Sequence, residues 1–360
     1  VPSIAIGAPS ATVTRTASVT YTVAYADTSG SGVSAITLAS GNVTLNKTGS
    51  ADGTVTVSGS GTATRTVTIS GITGEGTLGI SVASGTATDV AGNSAGAAGP
   101  STTFTVDNSA PTVSISAPSA TFTKTASVTY TVSYTDTDGS GISAITLAAA
   151  DITLNTTGTA TGTVAVSTSG ATARTVTISG ITGDGTLGIS IAAGTATDLA
   201  GAPVPAAGPS TTFTVDNTIP TVSIGSPSST ITARGPVSYT VTYADANFAS
   251  STLTAANVTL NTTGSATGTV SVAGTGTTRT VTISAITGTG TLGISLAAGT
   301  ASDLAGNAAL AAGPSTTFTV DNTAPTVGII AASASFAKSG PVTYTVTYSD
   351  ANFASSTLAA

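Results

Sequence analysis

Neither cysteine nor histidine occurs in this chain, and methionine and tryptophan are missing as well. Without a thiolate or an imidazole there is no ordinary zinc site, no cysteine nucleophile and no histidine to act as general base. The absence of cysteine suits an extracellular protein that avoids oxidation, but it fixes no compartment. Charge is scarce too: Asp, Glu, Lys and Arg make up 6% of the residues, against roughly 25% in an average soluble protein. A formal net charge of −7 over 360 residues leaves no basic stripe with which to hold nucleic acid. No segment approaches about 18 unbroken apolar residues, so no membrane-spanning helix is expected.

Gly, Ser, Thr and Ala take the place of the missing charge, and the polar surface is mostly hydroxyl. With 40% hydrophobic residues the chain can still bury more than one core. The dominant signal is internal repetition. "TFTVDNSAPT" at 103 returns as "TFTVDNTIPT" at 212 and "TFTVDNTAPT" at 317. The linker aspartates Asp107, Asp216 and Asp321 are therefore spaced by 109 and 105 residues. "TATDVAGN", "TATDLAGA" and "TASDLAGN" keep the same step, as do the four "YTV-Y" stretches that begin at 21, 130, 239 and 344. These landmarks divide the chain into repeats at 1–108, 109–217, 218–322 and a shorter 323–360. The chain opens at Val1 already inside a repeat, as a window on a longer protein would.

Each repeat reads as all-β. Short alternating runs of Val, Thr, Ile and Tyr are parted by Gly-rich turns, with no helical period. In the second repeat strands are expected near 112–116, 126–135, 144–154, 162–168, 172–180, 186–196 and 210–216. Seven short strands in about 100 residues predict an immunoglobulin-like β-sandwich, here stacked end to end. Val128, Tyr130, Val132 and Tyr134 fall on one face of their strand and Thr129, Thr131 and Ser133 on the other. The tyrosines are therefore expected to be core residues with a hydroxyl at the rim. Phe104, Phe213 and Phe318 should meet them from the opposite sheet.

The run "GTLGISIAAGTATDLAG" followed by "GPSTTFTVDNTIPT" resembles the bacterial immunoglobulin-like repeats of large surface adhesins, and the resemblance covers the whole chain. It implies a secreted or surface-anchored stalk, and it implies calcium between successive domains, as in several members of that group.

In such a sandwich the first strand starts at the pole that carries the B–C and F–G loops. Asp27, Asp136, Asp138, Asp245 and Asp350 fall in B–C loops, and Asp89, Asp198 and Asp303 in F–G loops. With the three linker aspartates, eleven of the fifteen acidic residues gather at this pole, beside the repeat junctions. Crowded carboxylates raise one another's pKa unless something neutralises them. Calcium, which takes six to eight oxygens, is one answer. The candidate ligands are Asp107, Asn108, Asp136, Asp138 and Asp198 at the first junction. At the second they are Asp216, Asn217, Asp245, Asn247 and Asp303, and at the third Asp321, Asn322, Asp350 and Asn352. Two other readings stay open: simple Asx turns, and salt bridges from Arg15 and Lys124 to the acidic pole of the next repeat. The second repeat departs from the pattern, with Ala202 where Asn93 and Asn307 stand in the others.

Other sites are set aside. "DTDGSG" at 136 begins like an EF-hand loop but lacks the glutamate at its twelfth position. No lysine recurs in every repeat, which excludes a repeated Lys–Asn isopeptide bond. The sequons at Asn42, Asn46, Asn155, Asn257 and Asn261 arise readily by chance in a Thr-rich chain. Arg65, Arg174 and Arg279 are expected on an exposed strand face, and Phe248 and Phe353 in loops against the neighbouring repeat. Near-identical acidic loops in every repeat argue against an enzyme. The expected role is a structural stalk or filament, its Pro-stiffened linkers making a semi-rigid rod capable of self-association. The alternative is a tandem module that binds carbohydrate or a host protein.

Overall fold

A computed structural model of the chain describes residues 1–359 apart from Ser29, Asp138, Thr168 and Ser169. The first repeat contributes ten strands: β1 (Ser3–Ile6), β2 (Val13–Thr14), β3 (Val19–Ala26), β4 (Val33–Ile36) and β5 (Val43–Lys47), then β6 (Asp52–Ser58), β7 (Thr64–Thr73), β8 (Gly76–Val82), β9 (Ala87–Asp89) and β10 (Phe104–Val106). They form one sheet in the order β1-β3-β7-β6 and a second in the order β2-β10-β8-β5, with β4 and β9 pairing separately. Only the β2–β10 pair is parallel among these. The third repeat has the same pair of four-stranded sheets. The expected strand at 144–154 divides into Ile142–Ile145, a 3₁₀ turn at Ala149–Asp151, and Ile152–Thr156. The expected strand at 186–196 divides likewise, into Gly185–Ile191 and Ala196–Asp198. The fold is all-β, a series of immunoglobulin-like sandwiches.

Three separate hydrophobic cores form, one in each long repeat. The chain makes two compact units. One comprises Val1–Thr121 and Thr125–Val215 and holds the first and second cores; the other comprises Phe122–Lys124 and Asp216–Ala360 and holds the third. In residues 323–359 two strands pair, Thr326–Ile329 with Val346–Ser349.

The alternation seen in the sequence sets the burial. In Val128–Thr135 the residues Val128, Tyr130, Val132 and Tyr134 are buried, while Thr131 and Thr135 are exposed. The Tyr130 ring lies 6.5 Å from Phe213 at 42°, a tilted pair across the two sheets; Tyr21–Phe104 and Tyr239–Phe318 repeat it at 6.4 Å. Each of these tyrosines also reaches through the core to a backbone oxygen. The Tyr130 hydroxyl donates to the Thr211 carbonyl at 2.9 Å, and Tyr21 and Tyr239 donate to Thr102 and Thr316. Burial raises the pKa of all three phenols, which keeps them neutral donors.

The arginines of the fifth strand differ from expectation. Arg65, Arg174 and Arg279 are half-buried, and each donates through Nη2 to the carbonyl of a residue in the segment beside it: Ile36, Ile145 and Leu253. That segment pairs with only one short strand, so its carbonyls need outside donors, and the guanidinium fork supplies them. Arg65 and Arg174 thus staple the β4-type strand to the sandwich, and Arg279 the residue two positions beyond it, instead of lying on an exposed face.

A bulge recurs where β6 meets β7: Gly71 and Ile72 oppose the single residue Gly53, and Gly180 with Ile181 oppose Gly162. Gly71 and Gly180 are left-handed, at φ 56° and 58°, as the first residue of this bulge type requires. In the third repeat the position is Ala285, at φ 50°. A left-handed alanine costs about 1–2 kcal/mol, and the extra freedom of an unfolded glycine costs roughly 0.5–1 kcal/mol. Ala285→Gly is accordingly expected to stabilise the third sandwich by about 0.5–1 kcal/mol, read as slower exchange of its core amides in the full chain. In contrast, Phe213→Ala is expected to cost about 3–5 kcal/mol, confined to amides of the second core such as Ile178.

Candidate metal centre

Asp107 follows β10 and donates its N–H to Thr14 of β2 at 3.0 Å, so its backbone belongs to the first sandwich. Its carboxylate belongs to the second. Oδ2 accepts from the N–H of Ser140 at 2.7 Å and its hydroxyl at 2.6 Å, while Oδ1 accepts from Ser109 N–H at 3.1 Å. Asp107 is 0% exposed. Asp136 stands just after the strand Val128–Thr135 and accepts from Gly141 N–H at 2.6 Å. Asp198 ends the strand Ala196–Asp198, opposite Ile142. The fold thus brings together one carboxylate from a linker, one from a loop and one from a strand end. An oxygen from each lies within 4.8 Å of the other two.

Two features of this cluster bear on a cation. Asp198 is 2% exposed; its Oδ1 accepts from Ala202 N–H at 2.8 Å, but its buried Oδ2 accepts nothing from the described residues. An uncompensated buried charge of this kind is costly. The backbone at Gly139 also comes so close that a Cβ there would stand 2.6 Å from oxygens of both Asp107 and Asp136, and only glycine leaves that space free. Calcium–oxygen distances are about 2.3–2.6 Å, so oxygens on opposite sides of one ion lie up to about 5 Å apart. The donor set is all oxygen and suits a hard cation. Asp107, Asp136 and Asp198 fit such an ion. Asp138, also expected here, lies outside the described residues.

The second cluster is Asp216, Asp245 and Asp303, again with an oxygen of each within 4.8 Å of the others. Here amides meet the carboxylates. Asn307 Nδ2 lies 2.7 Å from both Asp303 Oδ2 and the Asp216 carbonyl, and Asn247 Nδ2 donates to Asp216 Oδ2 at 2.7 Å. Asp321 has a similar clasp: Asn352 Nδ2 donates to its Oδ2 at 2.6 Å, and Asp350 accepts from Asn352 N–H. In the first repeat the Val1 α-amino group lies 3.5 Å from Asp27 and 3.7 Å from Asp89.

The other expected ligands are placed differently. Asn108 turns back onto the first sandwich, with its N–H donating to Glu75 Oε1 and its Nδ2 to the Gly74 carbonyl, both at 2.8 Å. Asn322 likewise donates to Gly288. Asn217 follows Asp216 in the linker. Arg15 and Lys124 form no ion pair with a carboxylate among the described residues; Lys124 Nζ donates to the Gly306 carbonyl at 3.1 Å. Phe248 packs on Tyr243 of its own repeat, with ring centroids 6.1 Å apart, and not on a neighbour. It opens the strand Phe248–Ser251, whose pairing turns the ring inward. Ser140, Gly139 and Glu75 escaped the sequence reading. Glu75 carried the one readable signal of the three, as the only glutamate in the sequence.

No family model and no curated protein matches the chain. Among solved structures it is similar to the Escherichia coli adhesin FdeC, at 18% identity and a TM-score of 0.38, over 89% of this chain and 96% of that one. It is also similar to invasin, a bacterial integrin-binding protein, at 15% identity and a TM-score of 0.32, over 92% of this chain and 62% of that one. A third is InvD of Yersinia pseudotuberculosis, at 15% identity and a TM-score of 0.33, over 89% and 98%.

Amide donors tune these carboxylates. The Asn93 side chain, and then its N–H, hold the Asp89 carboxyl below the ordinary aspartate value. The Asn352 amide, followed by Thr323 N–H, does the same for Asp321. A depressed pKa stabilises the fold above the unfolded value, about 3.9, and the contribution fades as pH falls through the lower folded value. Asn93→Ala is therefore expected to raise the Asp89 pKa and to move the onset of acid destabilisation upward. Carboxyl titration by NMR on the full chain tests both.

Proposed function

We propose that the chain is a structural repeat stretch of a bacterial extracellular adhesin stalk or filament, its linkers braced by calcium into a semi-rigid rod. The observation that carries this reading is Asp107, a linker residue held by the backbone of one sandwich and by the side-chain donors of the next. Asp107, Asp136 and Asp198 would hold the ion, which would neutralise three crowded charges and give linker, loop and strand end a common anchor. Pro111, Pro220 and Pro325 support the same reading, since each restricts the residue before it to extended conformations. The similarity of the three units supports a repeated structural part over a single active site. The hydroxyl-rich, weakly charged surface suits lateral association of copies.

A carbohydrate- or protein-binding module would show exposed aromatic rings in one unit. The exposed Phe336, Tyr344 and Phe353 align with Phe122, Tyr239 and Phe248, of which Tyr239 is fully buried and the other two are half-buried in the longer repeats. These are packing positions, so no observation favours the second reading. Electron microscopy of the full chain, with calcium and again after chelation, tests the first. Straight particles that become hinged on chelation are the expected result. Straight particles indifferent to chelation would remove calcium from the reading, and compact particles would overturn the rod.

A further inference from the structure

The two acidic clusters are built from the same three aspartate positions yet end in different electrostatic states, and one residue accounts for most of the difference. Asp198 and Asp303 each end the equivalent short strand, and each accepts the N–H of the residue four positions later through Oδ1, at 2.8 Å in both cases. That residue is Asn307 in the third repeat. Its amide caps Asp303 Oδ2 and the Asp216 carbonyl together. In the second repeat it is Ala202, fully buried, and Asp198 Oδ2 is left with no donor among the described residues. The B–C loops do not make this contrast, because both cap the linker carboxylate: Asn247 binds Asp216 Oδ2 in one cluster, and the Ser140 N–H and hydroxyl bind Asp107 Oδ2 in the other.

Resting on the calcium reading above, we infer that the residue at positions 202 and 307 sets the cation demand of each linker. Alanine leaves a buried carboxylate oxygen open to a cation; asparagine supplies an internal donor in the cation's place. An amide donor is also repelled by a cation and must give up its two acceptors before one can bind. The Asp107 cluster is therefore the tight cation site, and the Asp216 cluster is closed by amides and binds a cation weakly. A chain assembled from both kinds of linker responds to falling calcium at selected points and not along its whole length.

Calcium titration of the full chain by isothermal calorimetry, with terbium luminescence as a second readout, tests the inference. Wild type is expected to show one tight site, with any second site at least tenfold weaker. Ala202→Asn should weaken the tight site by tenfold or more. Asn307→Ala, which only removes atoms and so avoids crowding a buried position, should create a second tight site. Two equally tight sites in wild type, or an Asn307→Ala protein that binds as wild type does, would overturn this inference and leave the calcium reading standing. Absence of any binding would overturn both.

Discussion

A carboxylate taken out of water must be met by donors or by a cation, and in this chain that demand falls on the linker. Asp107 is fully buried although it lies between two sandwiches. Its N–H closes the last strand of the first sandwich, and its side chain is held by Ser140 of the second. The linker cannot swing freely without breaking one set of bonds or exposing the other.

The sandwiches supply the fixed ends that this arrangement needs. Tyr21, Tyr130 and Tyr239 each cross their core, packing on a phenylalanine of the facing sheet and bonding to a backbone oxygen beyond it. Arg65 and Arg174 fasten the short strand that follows the B–C loop, and Arg279 the backbone just beyond it. That strand pairs with the one ending in Asp89, Asp198 or Asp303. The guanidinium is thus two steps removed from the acidic pole: it holds the strand, the strand holds its partner, and the partner places the carboxylate.

Repetition conserves this plan while letting single positions vary, and the variations have physical consequences. Ala285 occupies a bulge position that glycine fills in the other two repeats, at the cost of a left-handed alanine. Ala202 occupies a position that asparagine fills elsewhere, and it leaves a carboxylate oxygen without a donor among the described residues. The hydrogen bonding of a buried carboxylate beside the linker thus depends on the residue four positions after it.

Much of this was legible in the chain alone. The step between "TFTVDN" motifs gave the repeats, the Val-Tyr alternation gave the buried face, and the pairing of those tyrosines with Phe104, Phe213 and Phe318 followed from two sheets facing each other. These features depend on period and on side-chain size, which are local properties of sequence. The gathering of Asp107, Asp136 and Asp198 was foreseen from loop order, because an immunoglobulin-like topology leaves few places for each loop. What only the tertiary structure decided was partnership. Asn108 faces back to Glu75 and Gly74, Arg174 reaches Ile145, and one oxygen of Asp198 finds no donor among the described residues. Each outcome depends on distances between segments far apart in the chain, and an ångström there separates a hydrogen bond from none.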